Sequence, residues 1–312
     1  MGTKLNDAAN TLNDRPVLTA AAGALCIASS GVLVRLAETT PVTVAFYRCF
    51  YALPFLGVLA LLEKRRFGPL SVPARSLAWI AGVFFALDLV FWHNAIDAVG
   101  AGLATVLGNL QVLVVGFAAW ILLGERLHKA LFIALPIVLG GVVLISGIVG
   151  QDAYGDDPAL GVIYGVATSL AYAVFILLLR QGSLDLRRVA GPLFHATLVS
   201  TVAALAFGAV LELDIDPGWP AHGWLLLLAL TSQVAGWLLI SRSLPRLPAA
   251  VTSIVLLLQP VGAMALAAIA LGERPGATQL VGAGLILAGV LVATSGHAHE
   301  TREARIAAVT EL

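Results

Sequence analysis

Ten apolar runs, each about 20 residues long, follow one another through almost the whole chain. They lie at 17–37, 41–62, 76–97, 100–122, 129–149, 158–180, 189–211, 222–244, 247–270 and 275–295. A helix that spans a bilayer needs about 20 apolar residues, because in lipid every backbone amide must be paired within its own segment. The runs therefore predict an all-α membrane protein with ten transmembrane helices joined by short loops.

Composition agrees with this prediction and excludes several classes of protein. Hydrophobic residues make up 59% of the chain and charged residues 12%, whereas about a quarter of a soluble domain is charged. The 18 basic residues balance the 18 acidic ones, so no nucleic-acid partner is expected. Cys26 and Cys49 both lie in apolar runs and indicate no disulfide framework.

The basic residues predict an orientation. With a cytoplasmic N-terminus, 15 of the 18 fall on the inside, Arg35 and Arg274 fall outside, and Arg48 lies within a run. The positive-inside rule then places both ends in the cytoplasm of a multi-pass protein of the cell (inner) membrane. The expected division is a tail at 1–16, five-helix units at 17–149 and 158–295, and a tail at 296–312.

The chain contains an internal repeat. The segment QVLVVGFAAWILLGER at 111–126 matches QPVGAMALAAIALGER at 259–274 without a gap, 148 positions later, and seven of the sixteen pairs are identical. Thr105 aligns with Ser253 in the same register. Because five helices per unit is an odd number, equivalent helices are expected to cross the membrane in opposite directions. Inverted halves around a midplane site support alternating access.

This pattern resembles a known group of carriers. The chain has two five-helix units, and in each a polar residue opens the fourth helix of the unit and Leu-Gly-Glu-Arg closes it. In these features it resembles, over about 18–295, the EamA-type carriers of the drug/metabolite transporter superfamily. The resemblance implies transport of small metabolites, often export, and the superfamily includes YddG-like exporters of aromatic amino acids. Many members have Glu-Pro where this chain has Gln259-Pro260. The missing carboxylate argues against proton coupling at that position.

Two charged residues are the strongest candidates for a site. Arg48 is the only base and Asp88 the only carboxylate well inside a run, at depths of roughly 10 Å and 13 Å from the outer ends of their helices. Charges at membrane depth are costly and usually face a cavity or a partner. Two interpretations stay open: an internal ion pair, or a site in which Arg48 attracts a substrate carboxylate and Asp88 holds an ammonium group or a proton.

Aromatic and amide side chains complete the predicted substrate-binding set. They are Tyr47, Phe84, Phe91, Trp92, Gln111, Tyr172, His195, Gln233, Trp237 and Gln259. Rings bury the apolar part of an amphipathic solute while polar groups orient it; alternatively, the rings face lipid or an interface belt and the amides bridge helices. We expect helices 1–4 and 6–9 to line the cavity. Helices 5 and 10, which carry the glycine-rich segments 139–145 and 281–289, are expected to pack outside it.

The function predicted from these features is that of a secondary transporter working by alternating access, an exporter of aromatic or other neutral amino acids. Alternatives are a carrier for a sugar, nucleoside, quaternary amine or drug-like solute, and a channel-like or regulatory membrane scaffold. An enzyme is not expected, since the chain has no Gly-x-Ser-x-Gly element, only one acid deep in a run and no nucleotide-binding loop.

We expect no cofactor, no metal and no coupling ion. His93 and Asp97 stand four apart but are too few for a metal site, and we expect them to be solvated near the outer end. The expected partners are a small-molecule solute and the lipid bilayer, with the chain a monomer or weak homodimer.

Overall fold

The computed structural model describes residues 16–111, 113–114, 129–145, 154–183, 185, 187–211, 213–243, 255–256 and 258–292. The first Leu-Gly-Glu-Arg at 123–126, Ser253 and nearly all of the two predicted tails lie outside these residues. No β-strand occurs within the described ranges, which are almost entirely helical.

The described helices follow the ten predicted runs. In chain order they are α1 (Pro16–Ala28 and Ser30–Leu36), α2 (Pro41–Phe67), α3 (Val72–Val99), α4 (Ala101–Gly108), α5 (Lys129–Ile145), α6 (Pro158–Gly182), α7 (Ala190–Gly208), α8 (Ala221–Leu228, Ala229–Gly236 and Trp237–Ser243), α9 (Leu258–Ala270) and α10 (Ala277–Val292). The middle segment of α8 is a π-helix. Six of the described helices, α1, α2, α3, α6, α7 and α8, are long and apolar enough to cross a membrane.

Local chemistry sets the helix boundaries. The hydroxyl of Thr40 accepts a hydrogen bond from the amide of Thr43 at 3.4 Å, and Pro41 at the first position has no amide to leave unpaired. Ser71 caps α3 in the same way, through the amide of Ala74 at 3.4 Å. Between α3 and α4 stands only Gly100, whose φ of 87° favours glycine. The chain therefore turns sharply there, and α4 begins beside the end of α3.

The bundle has two distinguishable ends. A vestibule of about 680 Å³ opens at the end lined by Leu36 of α1, Asp97 of α3 and Leu271 after α9. We call this the vestibule end. The start of α4 lies there as well, since Ala101 is bonded to Glu273. Thus α4 begins and α9 ends at the same end, so these two helices run in opposite directions.

Small residues allow close packing outside the centre. A Cβ on Gly141 of α5 would lie 2.6 Å from the carbonyl oxygen of Gly282 on α10, so the two backbones touch. The predicted close packing of α5 and α10 through glycine is therefore observed.

Large apolar side chains cover the outside of the bundle, where lipid tails would meet them; they include Phe55, Val58, Leu61, Phe132, Ile133 and Val202.

Candidate functional site

A small cavity lies at the centre of the bundle. Its volume is about 70 Å³, well below the roughly 300–1,000 Å³ of a typical small-molecule pocket. Its walls come from α1, α2, α3, α4, α6, α8 and α9, together with Gln111 just after α4. Within the described part of the chain, neither α5 nor α10 contributes to them. The cavity has room for a few waters and would have to widen to admit a metabolite.

Most of the predicted site residues meet around this cavity. Arg48, Asp88, Trp92, Gln111, Tyr172, Trp237 and Gln259 all line it. Four large rings form its apolar wall, those of Phe85, Trp92, Tyr172 and Trp237. The arrangement suits a solute with one apolar part and several polar groups.

Arg48 is held from one side by neutral partners. The side chain is 3% exposed; its Nε donates to Oε1 of Gln233 at 3.2 Å and its Nη2 to the hydroxyl of Ser232 at 3.0 Å. The guanidinium carbon lies 6.0 Å from the ring centre of Phe85 and 5.9 Å from that of Trp92, within the range of cation–π attraction. No hydrogen bond from Nη1 to a described residue is found, so this nitrogen is free to meet a ligand.

The partners of Arg48 come from the π-helical segment of α8. Ser232 and Gln233 are consecutive there and both fully buried. π-Helical turns are rare and frequently mark functional sites. Gln233 is fixed in turn, because its Nε2 donates to the hydroxyl of Thr197 on α7 at 3.1 Å. One chain of hydrogen bonds therefore connects α2, α8 and α7 behind the cavity.

Asp88 faces the same cavity from α3. The hydroxyl of Thr168 on α6 lies 2.7 Å from the backbone oxygen of Asp88 and 3.0 Å from its Oδ1, so one hydrogen is shared between two acceptors. Oδ2 receives no hydrogen bond from a described residue. Nearby, Oε1 of Gln111 is buried and has no partner among the described residues. The cavity therefore offers two unused acceptors.

Arg48 and Asp88 do not pair with each other. The ion pairs of the described residues are Arg35–Asp97, Arg187–Asp185, Arg188–Asp185 and His222–Asp216, and none of these lies in the cavity. The open alternative of an internal Arg48–Asp88 ion pair is thus not formed in this structure. Two opposite charges share the cavity wall while each is bonded to neutral groups.

Five of the predicted residues lie elsewhere. Tyr47 donates its hydroxyl to the backbone oxygen of Ile215 in an aromatic group with His222. Phe91 stacks on Tyr164.

His195 accepts a hydrogen bond from Trp79 at 3.4 Å. No described residue of α7 lines the cavity, so the expectation that α7 contributes to its wall is wrong for the described residues. Phe84 packs among apolar side chains. Gln233, the fifth, lies behind Arg48 rather than in the wall.

Several lining residues were not predicted. Ser30, Phe85, Thr105 and Thr168 belong to this group. Thr168 could have been found, because it stands one helical turn before Tyr172 on α6 and shares its face. Thr105 carried a signal too, since the repeat aligns it with another hydroxyl residue, Ser253.

His93 also departs from expectation. It was predicted to be solvated, yet it is 1% exposed, and its Nδ1 lies 3.1 Å from the backbone oxygen of Pro41. Its Nε2 is buried and has no partner among the described residues. The turn of α3 that follows is more open, and Asp97 there pairs with Arg35 in the vestibule.

A barrier separates the vestibule from the central cavity. The carboxylate of Glu273 accepts hydrogen bonds from the amides of Ala101 at 2.8 Å and Gly102 at 3.3 Å, and so satisfies two free donors at the start of α4. A Cβ on Gly31 of α1 would lie 2.9 Å from the Cβ of Ala101. One on Gly102 would lie 3.0 Å from the Cα of Met264 on α9. α1, α4 and α9 therefore close tightly above Thr105, which lines the cavity.

Comparisons with known proteins agree with this architecture. The model of the EamA-like transporter family matches the chain twice, at residues 15–147 and 159–295. An uncharacterized transporter of Archaeoglobus fulgidus is 26% identical over 86% of this chain and 93% of its own length. An uncharacterized transporter of Bacillus subtilis, YxxF, is 26% identical over 83% of each chain. One solved crystal structure shares the fold, with a TM-score of 0.60 at 17% identity, covering 92% of this chain and 99% of that one.

The apolar helical bundle and the family match together define a multi-pass membrane transporter. The chain belongs to the EamA-like transporter family, within the drug/metabolite transporter superfamily.

Proposed function

We propose that this protein is a secondary carrier that exports aromatic or other neutral amino acids by alternating access. The observation that carries the proposal is that Arg48 and Asp88 line one cavity without pairing. A zwitterion supplies both missing partners: its carboxylate meets Nη1 of Arg48, and its ammonium group meets Oδ2 of Asp88 and Oε1 of Gln111. Trp92, Tyr172 and the other rings would bury its side chain.

The position of the barrier supports the proposed alternating access. The cavity of about 70 Å³ is closed toward the vestibule by contacts of α4 with α1 and α9. In the proposed inverted repeat, α4 and α9 are equivalent helices from opposite halves, so a rocking of the halves would part them and open the site. Without such a movement the vestibule and the cavity remain separate.

We assign the vestibule end to the outside of the cell. That end is rich in acids, with Glu38, Asp97, Asp214 and Glu273 in the vestibule wall. The opposite end carries the basic residues Lys64, Arg65 and Arg66 at the close of α2, as the positive-inside rule requires of a cytoplasmic face. Single cysteines at residues 66 and 216 test this assignment. We expect an impermeant thiol reagent added to intact cells to label position 216 only; the reverse pattern would overturn the orientation.

Counterflow in proteoliposomes tests the function. Vesicles loaded with one unlabelled solute are diluted into the labelled form, and neutral amino acids are compared with sugars, nucleosides and quaternary amines. We expect saturable exchange of neutral amino acids, strongest for those with aromatic side chains. Exchange of another class in their place would overturn the amino-acid assignment while leaving the family membership intact.

A further inference from the structure

We infer that Gln233, together with Ser232, is a positioning and specificity-determining residue that keeps the charge of Arg48 available to the solute. This inference rests on the proposed function and deepens it. Gln233 does not touch the cavity; it acts through Arg48, to which it is bonded at 3.2 Å.

The hydrogen-bond partners of Arg48 are neutral. A buried guanidinium usually needs a counter-charge, because an isolated charge in a nonpolar interior is strongly unfavourable. Arg48 is 3% exposed, yet within the described residues its hydrogen bonds go to an amide oxygen and a hydroxyl. Neither partner is charged. Asp88 attracts Arg48 across the cavity but forms no ion pair with it, so the position of a bonded counter-charge is left for a ligand to fill.

These partners also fix the orientation of the guanidinium. Gln233 accepts from Nε and Ser232 from Nη2, which are neighbouring donors on one edge of the guanidinium, and Nη1 donates to no described residue while Arg48 lines the cavity. Thr197 fixes the amide of Gln233 from behind at 3.1 Å, so Oε1 is the atom directed at Arg48. Gln233 and Ser232 thus hold the guanidinium of Arg48 in one orientation. They also satisfy the two donors that a carboxylate of the solute does not need.

A carboxylate at either position would change the selectivity. Gln233→Glu has nearly the same shape but gives Arg48 an internal counter-charge, which would compete with the carboxylate of the solute. Ser232→Asp places the same charge from a second position, and Ser232→Asn is its neutral control of equal size. Gln233→Met removes the hydrogen bond without adding charge.

The experiment compares two labelled solutes, phenylalanine and phenylalanine amide, which differ in the carboxylate alone. Half-saturation concentrations for counterflow are measured in proteoliposomes for each variant, after thermal unfolding in detergent has verified folding. In the unchanged protein we expect phenylalanine to be preferred by about tenfold or more. Gln233→Glu and Ser232→Asp should remove or reverse that preference, and Ser232→Asn should retain it. Gln233→Met should raise the half-saturation concentration for phenylalanine and leave that for phenylalanine amide unchanged.

The outcomes separate the two levels of the proposal. If the folded acidic variants keep the full preference for phenylalanine, the role assigned to Gln233 and Ser232 is wrong, although the carrier function stands. If one acidic variant does not fold, the other acidic variant and Gln233→Met still decide the matter, since the first adds a negative charge beside Arg48 and the second only removes a hydrogen bond. If the unchanged protein exchanges no solute that carries a carboxylate, the proposed function itself fails.

Discussion

Glu273 closes the start of α4 by accepting a hydrogen bond from the amide of Ala101 at 2.8 Å. The two residues come from different halves of the repeated sequence, and their contact lies between the vestibule and the cavity. The carboxylate of the second Leu-Gly-Glu-Arg therefore stabilises a contact between the halves. If the halves rock apart, this contact has to break and reform.

Replacing Glu273 by alanine should favour the form that is open at the vestibule. Loss of such a cap costs about 0.5–2 kcal/mol, so we expect a cysteine at Thr105 to react several times faster with an impermeant thiol reagent. Glu63→Ala is the matched control, because Glu63 caps α7 in the same way at the opposite end, 2.9 Å from the amide of Ala190 and 2.7 Å from that of Gly191. Equal rates in Glu273→Ala and the unchanged protein would show that the cap does not contribute to the barrier.

The absence of an Arg48–Asp88 ion pair predicts how their variants combine. Each charge has its own neutral partners, so Arg48→Gln and Asp88→Asn should each alter stability. Because the two charges also attract each other across the cavity, the double variant should lose less stability than the sum of the two effects, by more than the ~0.3–0.5 kcal/mol seen for independent sites, while most of the loss remains. Thermal unfolding of the four proteins in detergent measures it. A double variant that recovers most of the lost stability would instead demonstrate direct pairing.

Sequence reasoning located the charges but not their surroundings. Arg48 and Asp88 are conspicuous because charge at membrane depth is costly, and ten spans follow from apolar length alone. Tyr47 and His195 were misplaced, because the direction in which a helical residue faces depends on which helices pack around it. Gln233 was found as a polar residue, yet its contact with Arg48 joins positions 185 residues apart, and no local pattern encodes that.

Thr168 should contribute to solute affinity through Asp88. Thr168→Val removes the hydroxyl 3.0 Å from Oδ1, and a hydrogen bond to a charged group contributes about 1.5–3 kcal/mol. We expect the half-saturation concentration for a neutral amino acid to rise about tenfold or more. Thr201→Val is the control, since among the described residues its hydroxyl bonds only to the backbone oxygen of Thr197 within α7. An effect of equal size in both variants would mean that the change is a general loss of packing.

The contact between α5 and α10 should determine stability without affecting selectivity. Gly141→Ala puts a methyl group 2.6 Å from the backbone oxygen of Gly282, and such overpacking costs about 1–3 kcal/mol. Gly140→Ala next to it meets nothing within 4 Å and should be neutral or slightly stabilising. Thermal unfolding separates the two. A lower unfolding temperature for Gly140→Ala than for Gly141→Ala would contradict the close approach of these helices.

Trans-stimulation in proteoliposomes tests the central claim most directly, because it asks whether a zwitterion binds between Arg48 and Asp88 and is carried. Entry of labelled phenylalanine is measured with and without unlabelled phenylalanine inside, for the unchanged protein and for Arg48→Gln. We predict saturable entry that is accelerated by internal phenylalanine and is lost in Arg48→Gln. Entry that neither saturates nor responds to internal solute, or that is unaffected by Arg48→Gln, would contradict the account.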